Sequence, residues 1–235
     1  MPEARRWWLI PGTLCDASVF APFLDALGVP LHSRNLIMLD RPAVGDYRDQ
    51  LQDAVKGHDI VCGFSLGAIM VAHHADILPR GATLILFSAT PMPDDPSKAE
   101  GRAHMRELVL QIGGAAAMRQ LSPALFAANP AAILDTIATM AERTAPNIEP
   151  QTQLALSRPG ALAALHASKA QVIALSGGRD TQTPAELAAR IADAAPNGTA
   201  VTLDGLGHYA LLEGSELCAE AVRGAMEQNG EIHVR

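Results

Sequence analysis

The chain has 235 residues, enough for one domain or for one domain with a large insertion, and 49% of them are apolar, ample for a core. Its net charge of −7 argues against nucleic acid as a partner, because phosphates would be repelled, and no apolar run is long enough to span a bilayer. Cys15, Cys62 and Cys218 are odd in number and lack metal-ligand spacing, so neither a disulfide framework nor a thiolate metal site is expected.

Taken in order, Arg5-Arg6-Trp7-Trp8-Leu9-Ile10 opens like an export signal, but Pro11-Gly12 breaks it after four apolar residues, so a cytoplasmic protein is expected. Trp7 to Ile10 reads instead as a short buried strand that empties into a turn-rich loop, Pro11 to Asp16. A helix over 18–27 follows, with Phe20, Phe23, Leu24 and Leu27 on one face. A second strand is predicted over 35–39, a second helix near 46–56, a third strand over 60–62, a helix over 66–78 and a fourth strand over 82–87. From 93 to 169 no strand pattern is convincing; helical periodicity recurs with breaks at Gly113-Gly114, Asn129-Pro130, Pro146 and Pro159-Gly160. Strands over 171–175 and 200–203 then alternate with helices near 184–194 and 213–227, and the tail after Asn229 is expected to fray.

Six short apolar strands alternating with helices imply an α/β fold, a parallel sheet covered on both faces. Right-handed crossovers favour the order 2-1-3-4-5-6 by chain order, with the topological switch point between the first and third strands. Residues 1–92 and 170–235 would form the core and 93–169 a helical insertion.

The strand ending at Cys62 runs into Gly63-Phe64-Ser65-Leu66-Gly67 and then at once into a helical pattern, the strand–turn–helix context of a Gly-x-Ser-x-Gly nucleophile elbow. A serine hydroxyl is a weak nucleophile until it is exposed and paired with a base; the sharp turn exposes Ser65, and close packing beside it excludes side chains at 63 and 67. The chain order Ser, acid, His selects His208, in Leu206-Gly207-His208-Tyr209 just past the last strand. His73 and His74 lie inside the elbow helix, where packing explains them, and His32, His58, His104, His166 and His233 follow no such pattern. For the acid, Asp180 in Ser176-Gly177-Gly178-Arg179-Asp180 follows the fifth strand; its plainer role would be to cap the helix near Pro184, and Asp204 is its rival. The oxyanion donors should be the N–H of Leu66, directly after the nucleophile, and that of Thr13, with Leu14 as the alternate, from the loop after the first strand. No His-x-x-x-His or Glu-His cluster falls at metal-ligand spacing, and no Gly-rich nucleotide loop follows a strand.

These stations in this order resemble the α/β-hydrolase superfamily along nearly the whole chain. The resemblance implies serine hydrolase chemistry on an ester or related small acyl compound, no cofactor, and a helical cap over the site at 93–169. Thioester or lactone hydrolysis, or a lyase reaction, would use the same triad, whereas a binding protein would be expected of a broken one. The sequence departs from the family twice: Pro11-Gly12 stands where His-Gly is usual, and the family's first two strands have no counterpart, giving a six-stranded version. Apolar residues of the insertion are mainly Ala, Leu, Ile and Met, which suits a modest aliphatic pocket. Lys98, Arg102 and Arg106 share one helix face at i, i+4 and i+8. Near Asp94, Asp95, Glu100 and Glu107 this reads most simply as a solvated face. Its functional reading is a docking strip for an acidic partner or substrate, since some biotin-pathway carboxylesterases of the superfamily use cap arginines to dock an acidic acyl carrier protein.

Overall fold

The computed structural model describes residues 5–228, so the expected frayed tail and His233 lie outside the described residues. Six strands form one sheet: β1 (Trp7–Ile10), β2 (Arg34–Leu36), β3 (Ile60–Phe64), β4 (Thr83–Phe87), β5 (Gln171–Gly177) and β6 (Gly198–Leu203). Every neighbouring pair is parallel and the order is β2-β1-β3-β4-β5-β6, as the sequence predicts. The strands alternate with α1 (Ala21–Ala26), α2 (Arg48–Ala54) and α3 (Leu66–His73); five helices, α4 (Ala99–Ile112), α5 (Gly114–Leu121), α6 (Pro130–Thr144), α7 (Ile148–Ser157) and α8 (Leu162–His166), separate β4 from β5. The chain then continues through α9 (Ala185–Ala194), α10 (Ala210–Glu213) and α11 (Ser215–Gln228). Among the described residues no helix is long and apolar enough to cross a membrane.

The sheet is buried on both faces, and its side chains sort by a period of two. Ile60, Cys62, Phe64, Ile85, Phe87, Ile173 and Leu175 join one buried cluster with Phe23 of α1 and Val222 of α11. The intervening Val61, Leu84, Leu86, Val172 and Ala174 join the other, with Leu51 of α2, Met70 of α3 and Ile191 of α9. The helices between β4 and β5 share these same clusters: Val109, Met118 and Met140 belong to the first, Leu154 and Leu165 to the second.

Helix breaks fall where the sequence places them. Asn129 caps α6, its Oδ1 accepting from the Ala132 amide at 3.3 Å, and Pro130 opens the helix where its missing N–H costs nothing. Three of the differences from expectation have a clear physical reason. The helix expected at 18–27 is a 3-10 turn, Ala17–Val19, followed by α1, because Pro22 in the first turn of α1 forces a fresh start. Strand β2 is shorter than expected: the Ile37 amide donates to Leu9 O at 3.0 Å, but the next donor on that side of β1 would be Pro11, which has none. Helix α3 ends at His73 and tightens into i→i−3 turns through Ile77, where a longer helix was expected.

Candidate active site

The C-terminal ends of β1, β3, β5 and β6 converge. β1 and β3 pair with Ile10 opposite Gly63, so the loops that leave them lie side by side at the switch point. Ser65 sits at the turn from β3 into α3 with φ 51° and ψ −120°, a strained conformation for a residue with a side chain. The strain is held by close packing. A Cβ on Gly67 would fall 2.0 Å from the Ile10 carbonyl oxygen, and one on Gly12 would fall 2.9 Å from Ser65 Cβ. Both positions therefore need glycine, and the loop after β1 touches the serine directly.

The structure brings Ser65, His208 and Asp180 together. Ser65 Oγ lies 3.0 Å from His208 Nε2, and His208 Nδ1 lies 2.8 Å from Asp180 Oδ2. Asp180 is buried in the turn after β5, and its two oxygens do different work. Oδ1 accepts from the backbone amides of Gln182 (2.8 Å) and Thr183 (3.0 Å), the turn-capping role the sequence also allows. Oδ2 faces the imidazole and accepts from the Thr183 hydroxyl at 2.6 Å. Burial alone would raise the Asp180 pKa; the hydrogen bond and charge of His208, with the Thr183 hydroxyl and amide, outweigh it and hold the carboxyl at about 2. An ionised Asp180 accepts the Nδ1 proton, which fixes the tautomer and leaves Nε2 free to receive a proton from Ser65. The rival Asp204 is exposed, and among the described residues no hydrogen bond joins it to His208.

Sequence reasoning missed the groups that hold this arrangement. Glu213, on α10, clamps the His208 loop: Oε2 accepts from the Gly207 amide at 2.7 Å and Oε1 from the Tyr209 amide at 3.2 Å. Oε2 also accepts from the Phe126 amide at 3.2 Å, tying the loop to the segment between α5 and α6. Ser88, at φ 53°, donates through Oγ to the His208 carbonyl at 3.1 Å. Thr183 is the one such residue with a local signal, an Asp-x-x-Thr spacing ahead of Pro184 that suits a side-chain-capped turn.

Gln151, on α7, is only 1% exposed. Its Oε1 accepts from the Leu14 amide at 3.0 Å and its Nε2 donates to the Leu39 carbonyl at 3.1 Å. Leu14 itself is left-handed, φ 56°. The alternate oxyanion donor is thus already engaged. Among the described residues the amides of Thr13 and Leu66 have no intramolecular acceptor, that of Leu66 because it opens α3. Both flank Ser65, one from each adjoining loop.

A cavity of about 420 Å³ opens over Ser65 and His208. Thr13, Leu14, Phe64 and Tyr209 contribute to its wall, and Met105, Met118, Leu121 and Ala155 of the inserted helices add an aliphatic surface. The cations expected to form a strip each have an internal partner. Lys98 Nζ donates to Gln182 O at 3.2 Å, Arg102 clamps Asp94 through Nε (3.0 Å) and Nη2 (2.5 Å), and Arg106 pairs with Glu149.

A family model described as the alpha/beta hydrolase family matches residues 9–221 of the chain. No curated protein matches it. Solved structures with the same fold include an esterase from Thermogutta terrifontis, at 19% identity and TM-score 0.76 over 96% of this chain and 90% of that one. The enol-lactonase of Burkholderia xenovorans matches at 18% identity and TM-score 0.73 over 95% and 92%. A putative non-heme bromoperoxidase from Mycobacterium tuberculosis matches at 17% and 0.73 over 96% and 92%.

Proposed function

The chain belongs to the alpha/beta hydrolase family, and we propose that it cleaves a small carboxylic ester through an acyl-enzyme, with Ser65 as nucleophile, His208 as base and Asp180 as the group that orients it. The observation that carries this reading is the unbroken relay from Ser65 Oγ through the imidazole to a buried, ionised carboxylate. Ser65 attacks the carbonyl carbon and its proton passes to His208 Nε2. The imidazolium that forms is stabilised by Asp180 across Nδ1, and the carbonyl oxygen, now carrying the negative charge, is held by the Thr13 and Leu66 amides. Collapse expels the alcohol, which takes the proton from Nε2. Water, losing a proton to the same nitrogen, then releases the acid and restores Ser65.

A lactone is an internal ester and would follow the same steps, and the enol-lactonase among the similar structures makes it the second reading. The helices of 93–169 act in this proposal as a cap, supported by the residues that α4, α5 and α7 give to the cavity wall. Three buried free thiols, Cys15, Cys62 and Cys218, support the cytoplasmic setting read from the sequence. An acidic carrier protein is not favoured, because the three cations do not form one outer strip: Lys98 and Arg102 line the cavity and Arg106 is paired with Glu149. Ser65→Ala should abolish hydrolysis of p-nitrophenyl acetate, a loss on the order of a millionfold in such triads. A folded mutant that keeps more than a few per cent of the rate, about one part in thirty, would place the nucleophile elsewhere.

A further inference from the structure

The start of α4 gives the cavity wall Ser97, Lys98, Gly101 and Arg102. Lys98 and Arg102 are cations, and no carboxylate is among the residues lining the cavity, although the chain carries a net charge of −7. Arg102 is held in place. Two of its nitrogens grip Asp94, and Asp94 also accepts from the buried Arg158 at 2.8 Å, so two guanidinium groups share one carboxylate and the cluster keeps a positive charge. Arg102 remains partly exposed, with its third nitrogen unpartnered among the described residues, whereas Asp94 is buried beneath it. Among the described residues Lys98 hydrogen-bonds only a backbone carbonyl; Asp95 lies close enough to feel its charge but does not pair with it at salt-bridge distance. Asp95 and Glu100, the other carboxylates of this stretch, are exposed and stand outside the cavity wall. The cations sit at the N-terminal end of a 14-residue helix whose N-cap, Lys98, supplies no side-chain capping bond. The partial positive charge of that helix end adds to theirs. A Cβ on Gly101 would meet nothing within 4 Å, so this part of the wall is open.

From this convergence we propose that the cavity binds an ester bearing a free carboxylate on its acyl part, with the carboxylate held by Lys98 and Arg102 at the start of α4 while the ester carbonyl meets Ser65. Steering in a part-desolvated, single-sign cleft favours such a substrate over a neutral one of the same length. The inference rests on the esterase reading above.

Monomethyl adipate and methyl hexanoate share one acyl chain length and differ in a terminal carboxylate. The readout is the ratio of their kcat/KM values. In the wild type the ratio should favour the adipate monoester by about tenfold at low salt and fall towards one as salt screens the cations. Lys98→Gln should lower it. Gly101→Glu, which enters open space and suits the first turn of a helix, should lower it further or invert it. A wild-type ratio near one at low salt, or a ratio unchanged in both variants, would overturn the anion site while leaving the esterase reading intact. Hydrolysis of methyl hexanoate that survives Ser65→Ala would overturn the esterase reading instead.

Discussion

Asp180 divides its oxygens between a turn and an imidazole, and this division tells it apart from Asp204. Losing the charge on Oδ2 leaves the turn largely intact but removes the partner of an imidazolium. Asp180→Asn should therefore cost roughly 10⁴-fold in kcat with little change in KM, as for the orienting acid of a serine protease, and Asp204→Asn should be nearly silent. Steady-state rates on one activated ester decide it, and the reverse ranking would mean the acid is misassigned. Gln151 acts one step further out, holding the left-handed Leu14 and so the Thr13 amide beside it. Gln151→Met keeps the volume and loses both hydrogen bonds. Because a displacement of about 1 Å at a reacting centre can cost on the order of a hundredfold, kcat should fall tenfold to a hundredfold with KM nearly constant. Weaker inhibition by a boronic acid, in proportion to the loss of kcat, would tie that fall to the oxyanion loop. A change confined to KM would contradict a positioning role.

Helix α3 starts directly after Ser65, the proposed nucleophile, and ends at His73. Burial, with His74 and Arg158 nearby, pushes His73 down to about 4. A free histidine titrates near about 6.5, so below that pH the unfolded chain binds a proton that the folded one refuses. This contribution to stability is complete above the unfolded value and is lost as pH falls from about 6.5 towards about 4. The thermal midpoint should fall across this window, and His73→Gln should remove part of the fall; His74, lowered mainly by burial, keeps the rest. An identical slope in the variant would refute the assignment.

The elements themselves were legible in the sequence where local chemistry decides them. Buried strands read as apolar runs, Asn129-Pro130 and Gly113-Gly114 announce helix ends, and the order of Ser65, Asp180 and His208 follows the strands that carry them. What was not legible depends on partners far along the chain. The early stop of β2 needs Pro11 on the neighbouring strand. Gln151, more than a hundred residues from either partner, looks in sequence like any polar residue on a helix. Glu213 reads as an exposed helix residue until the His208 loop is folded over it.

The helices inserted between β4 and β5 are not a separate body, because their buried residues join the two clusters of the sheet. The same helices wall the cavity, supply Gln151 to the loop after β1 and frame the cationic end of α4. The cavity wall and the turn that holds Ser65 are thus built on one continuous core, and the sheet edge where they meet is the switch point that the strand order dictates. The proposed function turns on a covalent intermediate at Ser65. Intact-mass spectrometry of the chain after a brief exposure to a fluorophosphonate tests it most directly. The wild type should gain a single adduct, mapped to Ser65 by peptide sequencing; Ser65→Ala should gain none, and His208→Gln should react far more slowly. An adduct at another residue, or equal labelling of all three proteins, would contradict the account.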